Sequence, residues 1–424
     1  MNQRVIIRSA VLGLVFMFGF QIQDARSIPA WARKYKTSCA TCHISFPKLN
    51  AFGRAFQLNG YQFPGGAEAD QEKTKEETVP MGSEAYKRVW PNAIWPNILP
   101  GSVPLAVIVE AEMAYNPNAP EGEPSITFAN IPGEIEVLTG GNFGDNISFF
   151  AELEIVGGEA DLEMAHISFD NLLPDNGLSL RIGKIVPIVT PFSNMRRLTT
   201  PYWYATRPFG NNEWNFDRAQ QGFEARGLLS RGRLIYSVGL VEGRANVLNS
   251  DKDFYLHLGY KAGGMRLDGV REEGTAGPSN PWEDNSVRFD VFYYSGRATL
   301  VGGQKDRFSQ LGGSLDLYWN RLNLSALLAI QNDERPVIGQ SFDGRATHFM
   351  AEGTLVAYPW LLPTLRYERF TARLGDDAET EQRFVPGLVA LIRANVKAVL
   401  AMEIEKEAEE WEFGEVELAL VFGF

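Results

Sequence analysis

The chain has 424 residues, of which 22% are charged and 45% hydrophobic, and a formal net charge of −12. That length admits one large β domain with a small accessory one. Two cysteines three positions apart exclude a disulfide framework, and the acidic balance excludes nucleic-acid binding because the bulk of the chain repels phosphates.

Residues 1–27 read as a secretory signal. Arg4 and Arg8 precede an apolar stretch from Ala10 to Phe20, and Ala25-Arg26-Ser27 supplies the small residues of a cleavage site. The stretch falls short of the roughly 20 residues a spanning helix needs. No later segment is long and apolar enough to span as a helix, so an exported protein beginning near Ile28 is expected.

Residues 28–66 form a basic module with five cations (Arg33, Lys34, Lys36, Lys48, Arg54) and no acid. With the +2 of the leader set aside, the chain beyond Gly66 carries −19, and opposite fields favour docking between the two parts. The module contains Cys39-Ala40-Thr41-Cys42-His43, the C-x-x-C-H signature of covalent haem attachment. Two thiols on one helical turn reach the two vinyl groups along one porphyrin edge, and the adjacent His43 is the proximal iron ligand. A thioredoxin-like pair needs a βαβ context, which is absent. A zinc site needs further Cys or His ligands nearby, and the next histidine is His166. One haem c is therefore the expected cofactor. Phe46, Leu49, Phe52, Phe56 and Tyr61 fall near helical spacing and predict a haem-packing helix, with Gly53 allowing close approach and Asn59-Gly60 ending it. A module this short has too little core to stand alone.

Residues 67–102 read as a polar linker and a rim segment. Met81, the first methionine after the motif, is a candidate distal ligand; the unliganded alternative is a plain linker methionine.

From residue 103 to residue 424, runs of about ten residues alternate apolar and polar between Gly, Asn, Asp or Pro, as strands of a transmembrane barrel do. In the last run Val416, Leu418, Leu420, Phe422 and Phe424 point one way, and Glu415, Glu417, Ala419, Val421 and Gly423 the other. About sixteen strands are expected, making the fold class mainly β, an antiparallel barrel with a small N-terminal α-helical haem module. Short turns and long loops alternate with two exceptions: Gly157-Gly158 is short where a loop is expected, and residues 262–285 are long where a turn is expected. Inward faces carry Glu152, Glu154, Arg181, Arg288, Asp290, Arg366, Glu368, Glu403 and Glu405. They also carry His257 and His348, with His166 less regularly placed. A lumen histidine is ordinarily a hydrogen-bonded polar residue, yet one of the three, or Met164 or Met350, could cap the iron of a haem module seated in the barrel mouth.

Taken together, these features resemble the outer-membrane monohaem cytochrome–porin fusions, which include the Fe(II) oxidases of iron-oxidising bacteria. The architecture is similar over residues 28–424. The specific motif is Pro29, Trp31, Ala32, Arg33 and Lys34, then Cys39 to His43, Phe52-Gly53 and Asn59-Gly60-Tyr61. Lys34, Tyr35 and Lys36 depart from the Gln-Thr-Gly of the iron-oxidase branch. The resemblance implies one-electron transfer across the outer membrane of a Gram-negative bacterium, with the haem module in the lumen or at its periplasmic mouth. The implied partners are a periplasmic electron-carrier cytochrome, an extracellular donor or acceptor such as Fe(II), and the lipid around the barrel. Electron export is a second direction for the same machinery. The competing reading is a diffusion channel in which the haem module is a plug or a redox sensor.

Overall fold

The computed structural model describes residues 30–424 except 66, 76–77, 81–97, 101–103, 121, 144–145, 192–196, 200–206, 213, 217, 244–250, 272–279, 281 and 408–409. Sixteen antiparallel strands close into a barrel. They are β1 (Leu105–Tyr115), β2 (Ile126–Asn142), β3 (Ile147–Val156), β4 (Glu159–Leu173), β5 (Leu178–Ile185), β6 (Gln220–Leu229), β7 (Leu234–Val241) and β8 (Asp253–Gly263). The second half comprises β9 (Ser286–Thr299), β10 (Lys305–Trp319), β11 (Leu322–Asp333), β12 (Gly344–Leu355), β13 (Leu361–Leu374), β14 (Asp377–Arg393), β15 (Val396–Glu407) and β16 (Glu410–Gly423). β16 pairs with β1 from Val416↔Tyr115 to Gly423↔Ile108. Phe424 and Val107 exchange backbone hydrogen bonds at 2.7 and 2.9 Å, which completes the closure and leaves no sheet edge.

The period-2 alternation sorts side chains as an outer-membrane barrel requires. Leu311, Leu328, Val291 and Phe289 face outward and are exposed, while their sequence neighbours Gln310, Leu327, Asp290 and Arg288 are buried inside. Exposed aromatics lie outside this apolar belt: Trp319, Tyr358 and Trp360 at the end holding both barrel termini, and Phe128, Phe223 and Phe413 at the other. No described helix is long and apolar enough to cross a membrane.

Inside the lumen sits a small plug built from α1 (Ala30–Tyr35), a 3₁₀ turn (Cys39–Thr41), a two-strand ladder (His43–Ser45 with Lys48–Leu49), α2 (Ala51–Leu58) and α3 (Ala67–Lys73). The helix expected from the aromatic spacing is shorter than that spacing suggests, because Phe46 and Leu49 lie in the ladder and its turn rather than on α2. The polar run after Gly66 is helical and belongs to the plug. Asp70 on α3 accepts from Tyr35 Oη at 2.7 Å and from the Phe63 amide at 2.7 Å, and pairs with Lys34 Nζ at 3.3 Å.

Oppositely charged groups tie the plug to the wall. Lys48 Nζ lies 3.1 Å from Glu352 Oε1 on β12, and Arg54 Nη2 lies 3.0 Å from Asp316 Oδ2 on β10. Arg33 donates to the Leu105 carbonyl at 2.7 Å, and Asn142 of β2 donates to the Gly60 carbonyl. Both expected exceptions to the turn–loop rhythm are present, since β3 and β4 join through Gly157-Gly158 and a long connection follows β8, and β13 and β14 also join through only residues 375–376 at the loop end. The connection after β8 has a packing reason. Asn59 Nδ2 donates to the Asp268 carbonyl at 3.1 Å, and Leu58 packs against the cluster of Leu228, Ile235 and Leu267, so this connection clasps the plug at the terminus-bearing end. From the opposite end the described residues of the 186–219 connection fold inward. Its Trp214 lies 4.3 Å from the Tyr294 ring and 5.2 Å from the Phe308 ring, within an apolar core that fills part of the lumen.

Candidate functional site

Between the plug and the β1–β5 wall lies a cavity of about 830 Å³ bordered by Cys39, Cys42 and His43. The motif is held by its neighbours in sequence. Asn50 caps α2, accepting from the Gly53 amide at 2.9 Å, while its Nδ2 donates to the Ala40 and Thr41 carbonyls at 3.2 and 3.0 Å. The Asn50 amide donates to the Cys42 carbonyl at 2.9 Å. A Cβ on Gly53 would stand 2.1 Å from that same carbonyl oxygen, so only glycine lets α2 pack this closely on the motif.

Both thiols are free. Burial pushes the Cys42 thiol up to about 12, with the neighbouring Cys39 adding to the effect, and burial also raises Cys39. Reactive redox cysteines show the reverse, a depressed pKa. His43 is half-buried and borders the cavity, and burial holds its imidazole down at about 4. Its Nδ1 lies 3.3 Å from the Pro47 carbonyl oxygen. A carbonyl only accepts, so Nδ1 carries the proton and the lone pair sits on Nε2.

Aromatic rings form the plug side of the cavity. Trp31 stacks on Tyr61 with centroids 4.7 Å apart and planes at 11°, and meets Phe56 edge-on at 5.8 Å. From the wall, Phe150 stacks with both Trp31 at 6.2 Å and Tyr61 at 5.9 Å. Gly140 makes room for this arrangement, since a Cβ there would lie 2.8 Å from the Trp31 ring. The wall is also rich in charge: Glu110, Glu134, Glu136, Glu152, Glu154 and Glu163 line the cavity together with Arg181, Arg197, Arg218 and Lys397.

The structure therefore brings Cys39, Cys42 and His43 to one cavity, while Met81 lies outside the described residues. Of the lumen histidines, His166 lines the cavity and His257 and His348 do not. The sequence reading missed Asn50, Pro47 and Asp70. Asn50 had a legible signal, an Asn immediately ahead of an apolar helix. Asp70 had none, because its partners are reached only after the chain turns back.

No family model and no curated protein matches the chain. Solved structures do. The anion-selective porin from Comamonas acidovorans is similar over 76% of this chain and 99% of its own, with a TM-score of 0.55 and 14% identity. OmpF of Salmonella typhi, solved with daunomycin, is similar over 76% and 97% with a TM-score of 0.53 and 11% identity. A loop L8 deletion mutant of OmpT, an outer membrane protein of Vibrio cholerae, is similar over 76% and 99% with a TM-score of 0.53 and 8% identity. These likenesses show the fold: a sixteen-stranded, porin-like outer-membrane barrel.

Proposed function

We propose that the chain is a one-electron carrier of the outer membrane, in which Cys39 and Cys42 bind a single haem c and His43 ligates its iron. The observation that carries this reading is the convergence of two thiols and a cavity-facing imidazole on one cavity of about 830 Å³. The residues present suit that group. The volume lies within the range of about 300–1,000 Å³ typical of cofactor sites, the aromatic rings of Trp31, Phe56 and Phe150 offer an apolar flank, and the Pro47 carbonyl orients the imidazole with Nε2 free. When bound, such a group supplies reversible exchange of one electron at its iron.

The protein's own residues do the rest. The plug's ion pairs to Glu352 and Asp316 hold the motif inside the lumen, so that donor and acceptor approach it from opposite ends. The six carboxylates on the β1–β4 wall outnumber the lining cations Arg181, Arg197, Arg218 and Lys397, which favours a metal cation such as Fe(II) as the extracellular donor. A cytochrome at the terminus-bearing end is the acceptor in this reading. The test is optical: adding Fe(II) to intact cells should produce the ferrous haem spectrum, and a strongly negative midpoint potential in the purified protein would rule out Fe(II) oxidation.

A second reading, a diffusion channel with the plug as gate or sensor, is favoured by the porin likeness, which taken alone points to a channel. Planar-bilayer conductance separates the two. A channel conducts whether or not Cys39 and Cys42 are intact, and a carrier with a seated plug conducts little in either form.

A further inference from the structure

Four histidines occur in the chain, and their surroundings sort them. His43 is oriented by the Pro47 carbonyl. His257 is satisfied at both nitrogens, with Nε2 2.7 Å from Asp290 Oδ1 and Nδ1 3.4 Å from Ser237 Oγ. His348 packs on the Phe370 ring at 5.0 Å, away from the cavity. His166 is different. It is 8% exposed, it lines the cavity, and among the described residues neither ring nitrogen has a hydrogen-bond partner.

An imidazole buried without partners carries an unrelieved desolvation cost. Its position does not explain the cost as packing, because the neighbouring side chains make space for the ring. On the β5 side its register partner is Gly183, and on the β3 side it is Phe150, whose ring centroid lies 6.1 Å away. Its Nδ1 is sealed in the wall, which leaves Nε2 as the nitrogen that can reach the cavity. On a strand that otherwise offers serine, carboxylate and apolar side chains to the lumen, this is a nitrogen donor turned toward the cavity that also receives His43.

We propose that His166 is the second protein ligand for the iron, supplied by the barrel wall, so that a bound metal would tie plug and barrel together. The inference rests on the haem reading above. Met164 lines the same cavity, but a thioether needs no hydrogen bond and its burial poses no comparable problem. Met350 is buried in the apolar core away from the cavity. Because Nδ1 of His166 has no acceptor to orient it, this ligand should be the weaker of the two and the one that exchanges.

The experiment compares the full-length holoprotein in detergent with His166→Ala, His166→Met and Met164→Leu, by electron paramagnetic resonance and optical spectroscopy. Wild type and Met164→Leu should be low-spin with two nitrogen ligands. His166→Ala should lose the low-spin signal and regain it on adding imidazole. His166→Met should acquire the sulfur-to-iron absorption band and a higher midpoint potential. Migration on unheated gels reports barrel folding for each variant, and His166→Gln, close in size, stands in should the alanine variant not fold. A low-spin signal that survives in His166→Ala or His166→Gln, or one lost in Met164→Leu, overturns the inference while leaving the haem reading intact. Wild-type protein without covalent haem overturns the haem reading itself.

Discussion

Replacing Lys48 by methionine tests how the plug is held. Lys48 Nζ lies 3.1 Å from Glu352 Oε1 and 3.3 Å from Thr354 Oγ1, with side chains only 6% and 4% exposed across the ion pair. Removing one member of a buried pair leaves the other charge uncompensated, at a cost of about 3–5 kcal/mol. Arg366 Nη1, 3.7 Å from Glu352 Oε2, compensates part of that charge, which places the cost at the lower end. About 3 kcal/mol corresponds to roughly a hundredfold larger population of undocked plug. Hydrogen exchange of the α2 amides reads that population directly. Lys48→Met should speed exchange by about two orders of magnitude, and adding Glu352→Gln should restore most of the protection because no charge is then stranded. Unchanged exchange in the single variant, or faster exchange in the double variant than in the single, would refute the reasoning.

Three further outcomes are expected. Gly53→Ala forces a Cβ to within 2.1 Å of the Cys42 carbonyl, backbone against backbone, and should destabilise the plug by about 1–3 kcal/mol, seen as lost α2 protection with barrel migration unchanged. Burial, then the charge and hydrogen bond of Asp70, raise the Tyr35 pKa well above its usual value of 10. The phenol therefore ionises in the released plug before the docked one. Docking stability is full below pH 10 and falls above it by up to about 1.4 kcal/mol per pH unit, and Tyr35→Phe should flatten that alkaline slope in the exchange assay. Leu311→Arg places a charge on an outward position at mid-strand of β10 and should cost about 2–4 kcal/mol in folding into lipid bilayers, measured by denaturant titration in vesicles.

The barrel was legible because a strand's side chains obey a period of two whatever their tertiary surroundings. About sixteen strands were expected and sixteen are observed. The short connection at residues 375–376 was not visible, but the breaks in loop rhythm at Gly157-Gly158 and residues 262–285 were. Their cause was not, since the connection after β8 is long for contacts with Asn59 and Leu58, more than 200 residues away in sequence for Asn59 and Asp268. By residue type alone Pro132 would open β2, since proline is favoured at the first position of a strand. The strand begins instead at Ile126 and passes through the proline with an irregular register against Glu110 and Glu112.

At the site, Cys39, Cys42 and His43 announced themselves through spacing alone. What spacing could not give is which distant groups face them. The inward parity of Glu152 and Glu154 was readable, but their meeting with Glu134, Glu136 and Glu163 around one cavity depends on barrel closure and on where the plug docks. His166 was the hardest of the three lumen histidines to assign because a register irregularity between Glu152 and Leu153 interrupts the alternation just ahead of it.

The most direct measurement is the intact mass of the protein purified from outer membranes of an organism that attaches haem c, taken after denaturation. One haem bonded through Cys39 and Cys42 should survive denaturation, with a pyridine haemochrome in one-to-one ratio to the chain and no thiol left to alkylate. A bare polypeptide mass with both thiols free would contradict the account.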